Sequence, residues 1–220
     1  MLPEIFTAAF LGTCLGIFYL VNLFNLLRDR LKRKAQATHE TPPPETPEPP
    51  KNFTLGLAAF GTLVFWLGSI FYVLLTFAGL LPYFDNLLLP LKFSFDSYVQ
   101  TVGIVLTAFG YFLFTWSIIA RSRYATAWEM PVDQKLVTWG PYRFVRHPSY
   151  LAYVIMFSSL FLISLTWIAL IPLIAIPGYL QIANEEEKML TQRFGDEYTA
   201  YRKTVGQFLP KHKNRHNNLT

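Results

Sequence analysis

Two clusters of charged side chains bracket an apolar stretch near the C-terminus. Arg143, Arg146 and His147 stand just before residues 151–183, and Glu185, Glu186 and Glu187 follow them. The apolar stretch reads as a short helical hairpin, so both clusters return to one water–lipid boundary. Cations and carboxylates gathered there suit a small ligand that carries both signs of charge. Gly140-Pro141 turns the chain ahead of the basic cluster, and His147-Pro148 breaks it again. Proline disfavours helix at the residue before it, so His147 is expected in extended backbone. Pro148 suits the first turn of the next helix. The free N–H groups of that turn (Ser149, Tyr150, Leu151) and its positive dipole end favour an anion. The glutamates offer the opposite charge to an ammonium.

The elements that must position these groups are membrane helices. The chain has 220 residues, 52% hydrophobic, and a mean hydropathy of +0.30, which is too apolar for an ordinary soluble domain. Crossing a bilayer takes about 20 apolar residues. Residues 5–27, 53–81 and 98–120 meet that length, and 150–165 and 167–183 form the tight hairpin. The expected fold is an all-α integral membrane protein with five transmembrane helices. A C-terminal helical hairpin and a cytoplasmic amphipathic helix complete it. Of the 19 Lys and Arg, all but Lys92 fall on one side of this map. The positive-inside rule then puts the C-terminus and the active site in the cytoplasm and the N-terminus outside.

The net charge of +5 flanks membrane helices, so anionic headgroups explain it better than nucleic acid. Cys14 is the single cysteine, which excludes an internal disulfide and Cys-ligated zinc or iron–sulfur sites. No metal is expected. Residues 1–34 read as an anchor helix, 35–51 as a proline-rich linker (TPPPETPEPP), 52–210 as the main domain and 211–220 as a polar tail. Gly12 and Gly16 allow close helix approach, within a monomer or in a homodimer. Pro172, Pro177 and Gly178 should loosen the second arm of the hairpin. Beyond it, Leu190, Phe194, Tyr198, Tyr201 and Val205 recur at near-helical spacing, with a break near Gly195. The loop 82–97 is aromatic and suits the interface. No strand pattern and no G-x-G-x-x-G occur, which excludes a Rossmann domain.

A carboxylate, an ammonium and a flat ring in one molecule would fit the charged mouth, and S-adenosylmethionine has all three plus a sulfonium. The stretch LVTWGPYRFVRHPSY, the hairpin after it, and EEEKMLTQRFGDEYTAYRKTVGQFLP resemble the isoprenylcysteine carboxyl methyltransferase family and its phospholipid-methyltransferase relatives. The resemblance spans roughly residues 135–210, with 134–210 holding the cofactor motif. It implies S-adenosylmethionine contacts at Gln134, Lys135, Leu136, Val137, Tyr142, His147, Pro148, Ser149, Tyr150 and Glu186. Glu186 and Arg146 are the expected catalytic residues. Glu186 would grip the cofactor ammonium, His147 its carboxylate, and Tyr142 and Tyr150 the adenosyl group. Glu187 matters less if it faces solvent. Two departures stand out: Ala152 replaces a glycine common in relatives, and Gln181–Asn184 lacks the arginine that often holds a prenylcysteine carboxylate.

Methyl transfer from a sulfonium mainly requires alignment and exclusion of water. A site at the bilayer boundary suits a lipophilic acceptor, with isoprenylcysteine-type carboxyl O-methylation as the family-based expectation and phospholipid N-methylation as the alternative. An NADPH-dependent sterol-type reductase would share the hairpin, but three glutamates disfavour a highly anionic dinucleotide. A non-catalytic lipid-binding protein would explain the topology and leave the clustered motif unexplained.

Overall fold

The computed structural model describes residues 1–36, 53–121 and 135–211, with side chains described for all of these except 29–36. Most of the proline-rich linker, Gln134 and most of the polar tail lie outside the described residues. Seven α-helices occur among the described residues: α1 (Glu4–Gln36), α2 (Phe53–Phe77), α3 (Asp85–Leu88), α4 (Asp96–Arg121), α5 (Pro148–Ser164), α6 (Ile176–Phe194) and α7 (Asp196–Thr204). Among the described residues there is no strand, only isolated bridges at Pro90–Thr166 and Val145–Gly206.

Among the described residues four helical stretches are long and apolar enough to cross a membrane: 25 residues of α1, α2 with 25, α4 with 26, and the continuous 28-residue run Trp167–Phe194. α5 has 17 residues, about 25 Å at ~1.5 Å per residue, a little short of the ~30 Å hydrocarbon core. Length and composition therefore return four spans where the hydropathy map expects five. The run Trp167–Phe194 begins as a 3-10 helix, Trp167–Ala175, with Pro172 inside it. It becomes α-helical at Ile176, with Pro177 in the first turn, where its missing N–H is harmless. The prolines thus loosen this arm as expected.

The arm does not end where its hydropathy falls. After Ala183 the chain continues as helix to Phe194, because Glu, Lys, Met, Leu, Gln and Arg are all good helix formers. Gly195 stops it at φ +51°, ψ −120°, backbone that glycine alone adopts readily. The three glutamates accordingly stand on α6 itself and project in different directions.

α5 packs mainly on α4, and the run from Trp167 mainly on α2. Small residues permit both approaches. A Cβ on Gly103 or Gly110 of α4 would meet the α5 side chains Leu162 and Met156 at 2.9 and 2.7 Å. One on Gly178 would meet the Thr54 carbonyl of α2 at 2.2 Å. α1 is built into the bundle, with Leu11, Leu15 and Phe18 sharing a core with Phe65, Tyr111, Phe114 and Phe157. Gly12 touches Val73 of α2, while Gly16 faces open space. The loop 82–97 is tied to the hairpin turn: Leu91 N–H donates to the Leu165 carbonyl at 2.7 Å.

Candidate functional site

The 3-10 turn Gly140–Arg143 delivers the chain to the mouth between α4, α5 and α6. Gly140 has φ +62° and sits against Ala120, where an added Cβ would lie 2.8 Å from that methyl. The Trp139 indole donates to the Ala120 carbonyl at 2.9 Å. Lys135, Leu136 and Val137 lead into this turn and are exposed, buried and half-buried in order. None of the three is hydrogen-bonded to the carboxylates. Tyr142 accepts, at its carbonyl, a hydrogen bond from the Tyr201 hydroxyl of α7.

His147 leaves helical backbone at φ −124°, ψ 62°, without reaching the extended conformation expected of it, and Pro148 starts α5 as the sequence predicts. The imidazole is buried and wedged between two carboxylates. Its Nδ1 lies 3.3 Å from Glu186 Oε2 and its Nε2 3.2 Å from Glu187 Oε1. Burial by itself would lower the histidine pKa, but hydrogen bonds to Glu186 and Glu187, and their charge, outweigh it and raise the value. Both ring nitrogens then act as donors.

The two adjacent glutamates differ in what else they hold. Glu187 is the more heavily engaged: Oε1 accepts from Arg146 Nε at 2.9 Å and Nη2 at 2.7 Å, and Oε2 pairs with Arg202 Nε at 3.2 Å. Arg146 Nη1 donates onward to the Val205 carbonyl. The backbone joins the same lock, with Arg146 N–H on the Gly206 carbonyl at 2.9 Å and His147 N–H on Gln207 at 3.1 Å. The arm 205–208 is thereby strapped across the basic segment, with the Phe208 ring 5.8 Å from that of His147. Glu186 is engaged more lightly. Its Oε1 accepts the Tyr150 hydroxyl at 2.6 Å and its Oε2 faces His147, which leaves lone pairs on both oxygens. Among the described residues Glu185 pairs only with exposed Lys188.

An aromatic column descends from this mouth into the bundle. Tyr150 stacks on His147, Tyr179 of α6 lies 5.2 Å from Tyr150, and Tyr153 stacks on Tyr179 at 5.1 Å. Ser149 is held by Ser117 of α4, Oγ to Oγ 2.7 Å. The structure thus brings Arg146, His147, Tyr150 and Glu186 together.

Sequence reasoning missed the pairing of Glu187 with Arg146 and Arg202, the inward place of Tyr179 and the arm at Gly206-Gln207. Glu187 does not face solvent; it is 5% exposed. The stripe Leu190–Phe194–Tyr198, continued back by helical steps, passes through Glu187, Ala183 and Tyr179, and would have revealed its inward direction. An open groove of about 900 Å³ also runs along α6, over Pro177, Gln181, Asn184, Lys188 and Thr191. At 3.6 residues per turn these positions lie nearly opposite Tyr179 and Glu186, and the groove meets the charged cluster at Glu185, Glu187 and Arg202.

A helical membrane protein with a paired cation–carboxylate mouth at one end of the bundle is the class these features define. Residues 98–197, from α4 to the start of α7, match the phospholipid methyltransferase family. That segment belongs to the group of membrane methyltransferases that joins the isoprenylcysteine carboxyl and phospholipid enzymes, as its motifs suggested. The match covers 100 of the 220 residues and, together with the long apolar helices, supports a membrane methyltransferase. No curated protein matches it.

Proposed function

We propose that this protein transfers a methyl group from S-adenosylmethionine to a lipophilic acceptor, and that the acceptor is the amine headgroup of a phospholipid. Glu186 is the observation that carries the donor: it is sheltered (side chain 15% exposed), and among the described residues it is the one carboxylate of the three that no arginine or lysine pairs with. An ammonium fits its remaining lone pairs. The column of Tyr150, Tyr179 and Tyr153 supplies flat apolar surface beside it for an adenine ring. When bound, S-adenosylmethionine supplies an electrophilic methyl on a sulfonium. The chain's own residues bind and orient: Tyr150 and His147 aim Glu186, and the first-turn amides of Ser149 and Tyr150 face the anionic end of a ligand, whereas the Leu151 amide, expected to be free, is bonded to the His147 carbonyl at 3.1 Å. Arg146 acts as a positioning residue through Glu187.

A prenylcysteine is the other acceptor the resemblance offers, and its carboxylate would need a cation. Arg146 and Arg202 both direct their guanidinium groups at Glu187. Neither is free to replace the arginine missing from 181–184, and this favours an amine. Radiolabelled methyl transfer should appear on phosphatidylethanolamine and be weak on N-acetyl-farnesylcysteine; the reverse would exchange the two acceptors. S-adenosylhomocysteine should bind in calorimetry and NADPH should not. NADPH binding alone would overturn the methyltransferase reading for this site.

The charge asymmetry supports five spans and a cytoplasmic mouth. Single cysteines at Asn86 and Thr204, in a Cys14→Ser background, should label from opposite sides of a sealed membrane. Labelling of both from one side would refute that topology.

A further inference from the structure

We infer that Arg121, the last residue of α4, receives the anionic group of the ligand held at Glu186, an inference that rests on the proposed methyl-transfer function. The placement follows from helix geometry. Arg121 stands one turn beyond Ser117, on the same face of α4. Ser117 is bonded to Ser149 in the first turn of α5 at 2.7 Å, so that face looks onto the mouth. The neighbouring Ala120 is pinned from the other side by the Trp139 indole and by Gly140, which fixes the rotation of the helix end. The Arg121 side chain is half-buried.

Its charge reaches the hydroxyls of Tyr142, Tyr150 and Tyr153, and the Glu186 charge reaches the first two of these. Arg121 and Glu186 therefore flank the same two tyrosines with opposite charge. Lys135 is exposed, and the other cations near the mouth are engaged. Arg146 and Arg202 hold Glu187, Lys188 holds Glu185, and exposed Arg143 lies over the Phe144 ring. Among the described residues Arg121 has no carboxylate partner. A half-buried guanidinium at a membrane boundary without a counter-ion is costly, and such residues mark ligand sites. A cation placed only to meet the helix dipole or the interface would do as well turned toward solvent.

Two anions have the right chemistry, the carboxylate of the methyl donor and the phosphodiester of a phospholipid acceptor. Two measurements on the full chain separate them: affinity for S-adenosylhomocysteine and KM for phosphatidylethanolamine in mixed micelles. They are made on the parent protein, Arg121→Gln, Arg121→Lys and Arg143→Gln. Removal of one charge-assisted contact should weaken one of the two about tenfold or more. A loss of S-adenosylhomocysteine affinity assigns Arg121 to the donor carboxylate. A raised KM with that affinity unchanged assigns it to the phosphate. Arg121→Lys should recover part of the loss, because it keeps the charge without the planar fork, and it serves as the readout if Arg121→Gln fails to fold. Arg143→Gln should change neither. If both Arg121 variants leave both quantities within about twofold while Glu186→Gln weakens S-adenosylhomocysteine, the inference is wrong and the methyltransferase reading stands. If the parent protein neither binds S-adenosylhomocysteine nor transfers methyl groups, both fall together.

Discussion

Glu186 and Glu187 are neighbours in sequence and opposites in surroundings. One turns to the tyrosine column of the mouth, with one hydroxyl and one imidazole edge on it. The other turns into a closed lock of Arg146, Arg202 and His147 that ties the arm after α7 to the start of α5. About 100° of helix rotation separates them. The comparison teaches that a run of like charges on a helix is not one feature. Each member takes the role of the face it lands on, and His147 is the one side chain that touches both.

The largest way to break the contrast is Glu187→Gln. It leaves Arg146, Arg202 and imidazolium charge without their common partner, and breaking a buried pair typically costs roughly 3–5 kcal/mol. A marked fall in the thermal midpoint in detergent is expected. A midpoint unchanged from the parent would show that the lock carries no stability and that both glutamates serve the mouth.

Glu186→Gln should do the reverse. Stability stays near that of the parent, while affinity for S-adenosylhomocysteine drops about ten- to a hundredfold, the usual effect of one charge-assisted hydrogen bond at roughly 1.5–3 kcal/mol. Equal binding losses for the Glu186→Gln and Glu187→Gln proteins, with equal stabilities, would mean that the cluster acts through bulk charge alone.

A smaller effect sharpens the role of His147. Its pKa is raised in the folded protein, so the native state binds the proton more tightly than the unfolded chain does. Its contribution is complete below the ordinary histidine value and fades as pH rises through the raised folded one. The thermal midpoint should therefore decline across neutral to mildly alkaline pH, and His147→Gln should flatten that decline. A midpoint that rises over the same window would mean that the imidazole is held neutral.

The smallest effect belongs to Glu185. Its partner Lys188 is largely exposed, and such pairs contribute only about 0–1 kcal/mol. Glu185→Gln should leave both stability and S-adenosylhomocysteine affinity within error. A tenfold affinity loss there, on the scale of ~1.4 kcal/mol, would place Glu185 in the mouth in solution.

Much of this architecture is legible in one dimension. Apolar blocks mark α1, α2 and α4, because only helices satisfy the backbone within lipid. Gly195, with no Cβ, marks the α6–α7 break, and Pro148 the start of α5. The side chains Leu190, Phe194, Tyr198, Tyr201 and Val205 do form the sheltered side of α6 and α7. The end of α6 was not legible, because hydropathy reports the lipid boundary and a helix continues past it wherever its residues favour helix. Nor was the docking of α1, whose contacts with Phe65 and Phe114 depend on packing and not on pattern.

The sequence by itself determined that carboxylates and a histidine meet at one boundary, since each stands at a break or an end of an apolar run. Which carboxylate is open and which is locked was decided only by tertiary structure. Arg202 lies 15 residues beyond Glu187 in the numbering and Arg146 lies 41 before it. A buried charge takes its state from the partners that folding brings within hydrogen-bond reach, and three-residue runs of glutamate carry no record of them.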